Sequence, residues 1–389
     1  MTTIETDDSG REMWYFQASA ALESPFHWVA ETVRYRLFAP LNPERLDNAN
    51  YKIVEVATRI FITLSAILGA MFAGTFLLFT AVILGTASKV LRAFAVSLQK
   101  EGFTHVRGEG RERILSDKTA KVLTWKIRGQ TGGLHYKTGG VVHWRSRLDA
   151  ILAKIAAEKP DVLVLLEVDD PDLQRELLSR LTKEYAHIYA HIGESVWETG
   201  SSMVFTKCAV ASFTREEFED SSLVQKKGFE VMELRSSPKA DPFLRLVIGD
   251  IVEGEAAVRN RHFGQIRSHL KLQETSLPTL FTGCIHPDEL RERAKDLSNG
   301  YRGHDPLQTK EFASVWNADV ESETTVAALV KRNDSLPVIE KTVQLEDLHL
   351  VESFTGRNDP KPLSDLNGIS VTLHIASPKK GPSEPRNPN

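Results

Sequence analysis

PDVLVLLEV, residues 160–168, sets five consecutive aliphatic side chains, Val162 to Leu166, between a Pro-Asp pair and a glutamate. A continuous apolar run of this length is the pattern of a strand covered on both faces. Upstream, KVLTWKI (121–127) gives a second strand, and between the two Arg147 to Ala157 sets Leu148, Ile151, Leu152 and Ile155 on one helical face. Downstream, Leu173 to Leu181 gives another helix, and strands are predicted at SSMVFT, LRLVIGD, LPTLFTGCI and GISVTLHI. Short strands alternating with amphipathic helices from Gly102 to about Ile375 predict an α/β body. The tail from Ser377, SPKKGPSEPRNPN, is polar and proline-rich, so disorder is expected there.

The chain has 389 residues, 41% hydrophobic and 26% charged, which excludes collagen-like, wholly disordered and disulfide-scaffold classes. Its 48 Lys and Arg against 52 Asp and Glu give a net charge of −4, so no global positive field draws it to nucleic acid, which is not an expected partner. Cys208 and Cys284 are too few for a disulfide framework or a four-cysteine zinc site and are compatible with a reducing compartment.

From Ile60 to Ser88, IFITLSAILGAMFAGTFLLFTAVILGTAS holds 29 residues without a charge, bracketed by Arg59 and Lys89. One helical span needs about 20 apolar residues, and a buried core helix rarely runs this long without a polar face. Fifty-nine residues carrying Glu5, Asp7, Asp8 and Glu12 precede it, which is unlike a cleaved signal peptide, so a retained single-pass anchor is expected. Three basic residues within 20 positions before it (Arg45, Lys52, Arg59) and four after (Lys89, Arg92, Lys100, Arg107) do not set orientation; the cytoplasmic side is favoured for the soluble domain. Before the anchor, SPFHWVAETVRYRLFAP reads as a short amphipathic helix, capped by Ser24 and stopped by Pro40, suited equally to a bilayer interface or to packing on protein.

The order of the soluble segments resembles the endonuclease/exonuclease/phosphatase superfamily, whose deoxyribonuclease-I-like members include nucleases, sphingomyelinases and inositol phosphatases. VLTWKIRG, PDVLVLLEV, LPTLFTGCIHPDE and LSDLNGISVTL carry the resemblance over residues 120–376, and GSSMVFTKCAV is similar to the family's strand leading into its Ser/Thr-Lys-aliphatic-Pro turn. The resemblance implies a two-sheet sandwich flanked by helices, preceded here by the transmembrane helix. It also implies a phosphoesterase site at strand ends, where carboxylates hold a divalent metal, an acid or amide orients water, and a histidine stabilises developing charge. On that mapping Glu167 stands at the metal-binding Glu and Asp365 at the Asp of the closing motif, both retained. Lys126 replaces the first Asn, Cys284 the Asp and His286 the Asn of the Gly-Asp-Phe-Asn segment, and Leu366 the closing His; Asp250 falls, by strand position alone, where a further catalytic His is usual.

Leu366 cannot donate a proton, and one lost acid/base group costs roughly 10²- to 10⁴-fold. A thiol at Cys284 is a soft, poor ligand for Mg²⁺. Glu167 and Asp365 would repel unless a cation sits between them, and Lys126 can supply one, giving a metal-free network; the alternative is that Lys126 points to solvent. The expectation is therefore a non-catalytic pseudoenzyme without a cofactor, binding the bilayer and an unidentified protein or phosphorylated ligand. The runner-up is an active phosphodiesterase or phosphatase using Mg²⁺ or Mn²⁺ held by Glu167 and an altered ligand set. A third reading builds a zinc or Cys-His site on Cys284, His286 and Glu167.

Other features are weaker. His187 and His191 in EYAHIYAHIG are expected as a partly buried surface pair, not a metal clamp. GQTGGLHYKTGG (129–140) lacks the phosphate-loop arrangement and is expected as a surface loop, with Lys137, His143 and Arg145 able to meet an anion. Helix 257–271, basic through Arg259, Arg261, Arg267 and Lys271, is expected as a solvated face. The organisation expected is 1–59 N-terminal region, 60–88 transmembrane segment, 89–119 linker, 120–376 phosphoesterase-like domain and 377–389 tail.

Overall fold

The structure, a computed structural model of the chain, describes residues 10–24, 49–115, 119–127, 129, 144–197, 200, 202–222, 226–251, 256–272, 277, 279–285, 325–330, 338–343, 347–351, 358–362 and 368–374. The expected strands become β2 (Thr119–Lys126) and β3 (Val162–Leu166), parallel neighbours with Val122 opposite Val162 and Lys126 opposite Leu166. The helix between them is α3 (Trp144–Glu158), so the unit is a strand-helix-strand crossover.

The apolar run of β3 is explained by what covers it. Val162, Val164 and Leu166 face a second sheet together with Ala120 and Val122. Leu163 and Leu165 face α3 and α4 (Pro171–Leu181), through Leu148, Ile151, Ile155, Leu173 and Leu177. All five are at most 2% exposed, and burying each such side chain contributes roughly 1.5–3 kcal/mol. Helix α4 begins where Asp170 accepts from the Asp172 and Leu173 amides, with Pro171 in the first turn, two residues ahead of its predicted start.

The first sheet has seven strands in the order β1-β4-β5-β3-β2-β14-β11, where β1 is Thr104–Arg107, β4 His187–Ile192, β5 Ser202–Thr206, β11 Val338–Val343 and β14 Gly368–His374. The second has five in the order β10-β9-β8-β7-β6, with β6 Ala209–Glu217, β7 Gly228–Arg235, β8 Pro242–Ile251, β9 Thr279–Ile285 and β10 Thr325–Val330. A hairpin of β12 (Asp347–Val351) and β13 (Asn358–Pro362) stands apart. Leu244, Leu246, Ile248 and Leu280 of the second sheet meet the inner face of the first in one core. Behind it lies α5 (Ala256–Leu272), whose Phe263 and Ile266 pack with Val247 and Phe281. The chain is thus the expected two-sheet sandwich flanked by helices.

Before the sandwich, residues 10–24 form a helix, α1, and Ala49–Leu98 form one continuous helix, α2. Among the described residues α2 is the helix long and apolar enough to cross a membrane; the qualifying window is Phe79–Leu98, of which 17% is buried. The amphipathic helix expected after Ser24 lies outside the described residues. The stretch expected as a linker, 89–119, instead contains the last turns of α2 and strand β1, which pairs with β4 (Thr104 opposite Ala190). Four residues, THVR, are too few to show a period; β1 is a strand because the edge of β4 offers its backbone groups a partner.

The end of α2 is built into the body. Arg92 donates to the Ser195 carbonyl (2.9 Å) and forms a buried ion pair with Glu194. Ser88 meets both Ser19 (2.8 Å) and Glu23 (2.7 Å) of α1, and Lys89 pairs with Glu23 at 3.1 Å. On the same buried face of α1, Phe16 stacks on His191 at 4.1 Å.

Candidate functional site

Strands β2 and β3 run parallel, as do β8 and β9, so the carboxyl ends of all four emerge at one end of the sandwich. Two hydroxyls fasten the sheets there: Thr124 Oγ1 of β2 and Thr282 Oγ1 of β9 lie 2.6 Å apart, buried. Two residues further along each strand, on the same faces, are Lys126 and Cys284. Asp250 of β8 is the direct partner of Cys284 across the parallel pair, and Glu167 follows the last residue of β3. Four of the residues named from the sequence, Lys126, Glu167, Asp250 and Cys284, therefore share one end of the interior.

Close backbone approach helps to assemble them. Gly249 and Gly283 are paired just before Asp250 and Cys284, and a Cβ on Gly283 would lie 1.7 Å from the Gly249 carbonyl oxygen, so no larger residue fits. Glu167 has φ 54°, a left-handed conformation that costs a non-glycine residue of order 1 kcal/mol or more. It is held there by the Gly129 amide donating to its carbonyl (2.6 Å), with the Ile127 amide on Leu166 just before it (3.1 Å).

Lys126 Nζ lies 2.6 Å from Glu167 Oε1, with the lysine side chain 6% and the glutamate 15% exposed. Burial opposes the ammonium, yet the electrostatic surroundings of Cys284, Glu167 and Asp250 outweigh it and push the lysine above its ordinary pKa. Burial drives the Cys284 thiol well up, Asp250 adding to the effect, so at neutral pH it is an uncharged thiol and the balancing negative charge comes from the carboxylates. One strand further, burial pushes Glu230 of β7 up to about 7; Asp250 adds to the rise, while Arg215, 3.6 Å away, opposes it.

Chemically, this is an ammonium-centred cluster. A fully buried neutral thiol is neither a ready nucleophile nor a hard ligand, and a monovalent cation already engages the glutamate. Among the described residues no group of three or more His, Cys, Asp or Glu side chains is arranged to hold a metal ion. Of the Glu167 carboxylate, one oxygen is engaged by Lys126, whereas Mg²⁺ or Mn²⁺ takes several hard oxygens. Asp365, His286 and Leu366 lie outside the described residues, as do Lys137 and His143.

Glu230, Arg215, Thr124 and Thr282 were not named from the sequence. A signal existed for Glu230: in GFEVMELR it alternates with Met232 and Leu234, so an acid stands at a core-facing position. Elsewhere, Arg145 is bound to Asp172 at 2.7 Å. His187 and His191 are buried in β4 and do not act together: His187 contacts His105 (3.1 Å) and Glu112 (3.2 Å), while His191 lies under Phe16 beside Glu194. Four residues apart along a strand, they are too distant to clamp an ion.

No protein-family model matches the chain, and no curated protein sequence matches it. Among solved structures it is similar to sphingomyelinase C from Streptomyces griseocarneus, at 20% identity over 65% of this chain and 99% of that one, TM-score 0.48. It is also similar to an endonuclease/exonuclease/phosphatase family protein from Bacteroides thetaiotaomicron, at 13% identity over 67% and 99%, TM-score 0.48. The catalytic domain of human nocturnin is similar at 18% identity over 70% and 98%, TM-score 0.43.

Proposed function

We propose that the chain is a membrane-anchored protein of the endonuclease/exonuclease/phosphatase type whose cleft binds without hydrolysing, acting as a binding or scaffold module beside the bilayer for a protein or phosphorylated ligand. The observation that carries this is the Lys126–Glu167 pair at 2.6 Å. The ammonium stands against the carboxylate that the motif order assigns to metal. A divalent ion could take that carboxylate only by displacing a lysine whose charge the surrounding acids favour. The anchor is the uncharged run 60–88 within α2, whose 50 residues extend about 75 Å at 1.5 Å per residue, more than twice a hydrocarbon core.

One observation favours the alternative of an active phosphoesterase. Glu167 Oε2 is buried with no hydrogen-bond partner among the described residues, and the residue sits in a strained backbone conformation, a combination found at working sites.

Thermal unfolding of the full chain in lipid nanodiscs, with and without millimolar Mg²⁺, Mn²⁺ or Zn²⁺, separates the readings. A metal present at 100 times its dissociation constant stabilises by about 2.7 kcal/mol. The binding-module reading expects no shift and no turnover of phosphodiester or phosphomonoester probes. It expects a shift to appear when Lys126→Asn, Cys284→Asp, His286→Asn and Leu366→His are combined. A Mg²⁺ or Mn²⁺ shift in the native chain, with turnover, would overturn it in favour of the phosphoesterase.

A further inference from the structure

Beyond the uncharged run, α2 presents two opposed faces. Ser88, Arg92 and Ala95 are buried against α1 and the sandwich, and at 100° per residue they fall within about 60° of arc. Phe79, Ile83, Val90 and Phe94 fall within another arc of about 60°, centred roughly 200° from the first. These four are 67%, 51%, 49% and 55% exposed. The stripe begins inside the uncharged run, at Phe79 and Ile83, and continues past Lys89 to Phe94 without a break. It then passes onto α1: Tyr15 stacks on Phe94 at 6.0 Å, and Trp14, 59% exposed, meets Tyr15 edge-on at 5.0 Å.

An exposed apolar stripe of this length on a water-soluble face would be an association hazard. Here it is the direct extension of a surface that already faces lipid on the anchor reading, and it ends in a Trp and a Tyr, the residues that settle at the bilayer interface. The cation at its border is accounted for on the opposite side, since Lys89 reaches Glu23.

We propose that the face formed by Val90, Phe94, Trp14 and Tyr15 lies in the interfacial layer of the bilayer that α2 crosses. The sandwich is then held flank-on against the membrane by α1 and the end of α2, instead of projecting on a free stalk. This rests on the anchor reading, and deepens it by naming the second lipid-contacting surface.

The test uses the full chain in liposomes, with single cysteines placed at Phe94, Trp14, Phe79 and Asp149 and coupled to an environment-sensitive fluorophore. Cys208 and Cys284 are buried and do not compete for label. Asp149 has a side chain 85% exposed and serves as the aqueous reference. The labels at 94 and 14 are expected to shift to the blue and to be quenched several-fold more by a lipid carrying a shallow nitroxide than the label at 149. Val90→Cys, in the same exposed stripe of α2, replaces Phe94→Cys if loss of the ring disturbs α1. Lipid quenching at 79 with only aqueous quenching at 94 and 14 overturns the proposal and leaves the anchor standing. No lipid quenching at 79 overturns the anchor itself. Shielding of 94 from both quenchers, with self-quenching that grows with protein density, overturns the bilayer in favour of a second copy of the chain.

Discussion

Replacing Lys126 by methionine keeps most of the side-chain volume and removes the charge, so it isolates the electrostatic role of the ammonium. In the native chain both partners are withdrawn from solvent, the lysine at 6% and the glutamate at 15%, with Asp250 and Glu230 close by. Deleting one member of a buried ion pair leaves its partner uncompensated and costs about 3–5 kcal/mol, whereas exposed pairs cost about 0–1. Adding Glu167→Gln to Lys126→Met removes the stranded charge and is expected to restore more than half of the loss, with a coupling of about 1.5–3 kcal/mol. The pH dependence has a definite sign. A lysine whose folded pKa is raised stabilises fully below its unfolded value near 10.4 and loses that contribution only as the pH climbs through the folded value. Lysine titration therefore adds no slope to the cost between pH 6 and 9. Denaturant unfolding of the full chain in micelles, followed by tryptophan emission, reads this directly, since Trp125 is buried next to Lys126. A cost below about 1 kcal/mol, or no coupling to Glu167, would refute the reasoning and return Lys126 to an ordinary solvated strand end.

Glu230, with a folded value of about 7, favours the protonated state, so its contribution is present below its unfolded pKa near 4.5 and is lost as the pH rises through 7; Glu230→Gln should stabilise by about 3 kcal/mol at pH 8 and by nothing at pH 4 in denaturant titrations at the two pH values. Arg92→Met should cost about 3–5 kcal/mol by stranding Glu194, and Arg92→Met with Glu194→Gln should recover much of it in the same assay. Gly283→Ala, whose methyl would meet the Gly249 carbonyl, should cost at least about 3 kcal/mol, seen as a loss of several degrees in melting temperature. Native-state alkylation followed by mass spectrometry should leave Cys208 and Cys284 unmodified until the chain is unfolded; rapid labelling of Cys284 would revive a thiol chemistry.

What the sequence disclosed depended on how local each signal was. β3 was legible because Val162 to Leu166 are apolar on both faces, and α3 and α4 because their leucines and isoleucines recur at helical spacing. β1 was not, since its reason for being a strand is the edge of β4, some 80 residues away. Helix 10–24 was missed for a related reason. Its buried face mixes Phe16 and Ala20 with Glu12, Ser19 and Glu23, and these polar residues are buried because Ser88, Lys89 and Thr104 meet them, which no period reveals. At the site, Lys126, Cys284 and Asp250 could be named by position along their strands, but the fastening of the sheets by Thr124 and Thr282 joins residues 158 apart and leaves no local trace. The histidines of β4 show the reverse error: four-residue spacing suggests proximity only on a helix, and on a strand it separates His187 from His191.

The buried contact between Arg92 and Glu194 has a consequence for how the chain comes into being. Arg92 leaves the ribosome about a hundred residues ahead of its partner, at synthesis rates of about 5–20 residues per second several seconds earlier. Throughout that interval the end of α2 carries a guanidinium that the finished protein encloses. In the finished protein the Glu194 carboxylate receives both Arg92 of α2 and the Gly200 amide, the latter at 2.6 Å. The end of α2 and the sandwich thus share one buried ion pair in the finished protein. A fragment cut after α2, beyond Leu98, would keep Glu194 and lose the only strong cation described beside it, so the end of the helix is the first piece of the domain to be made.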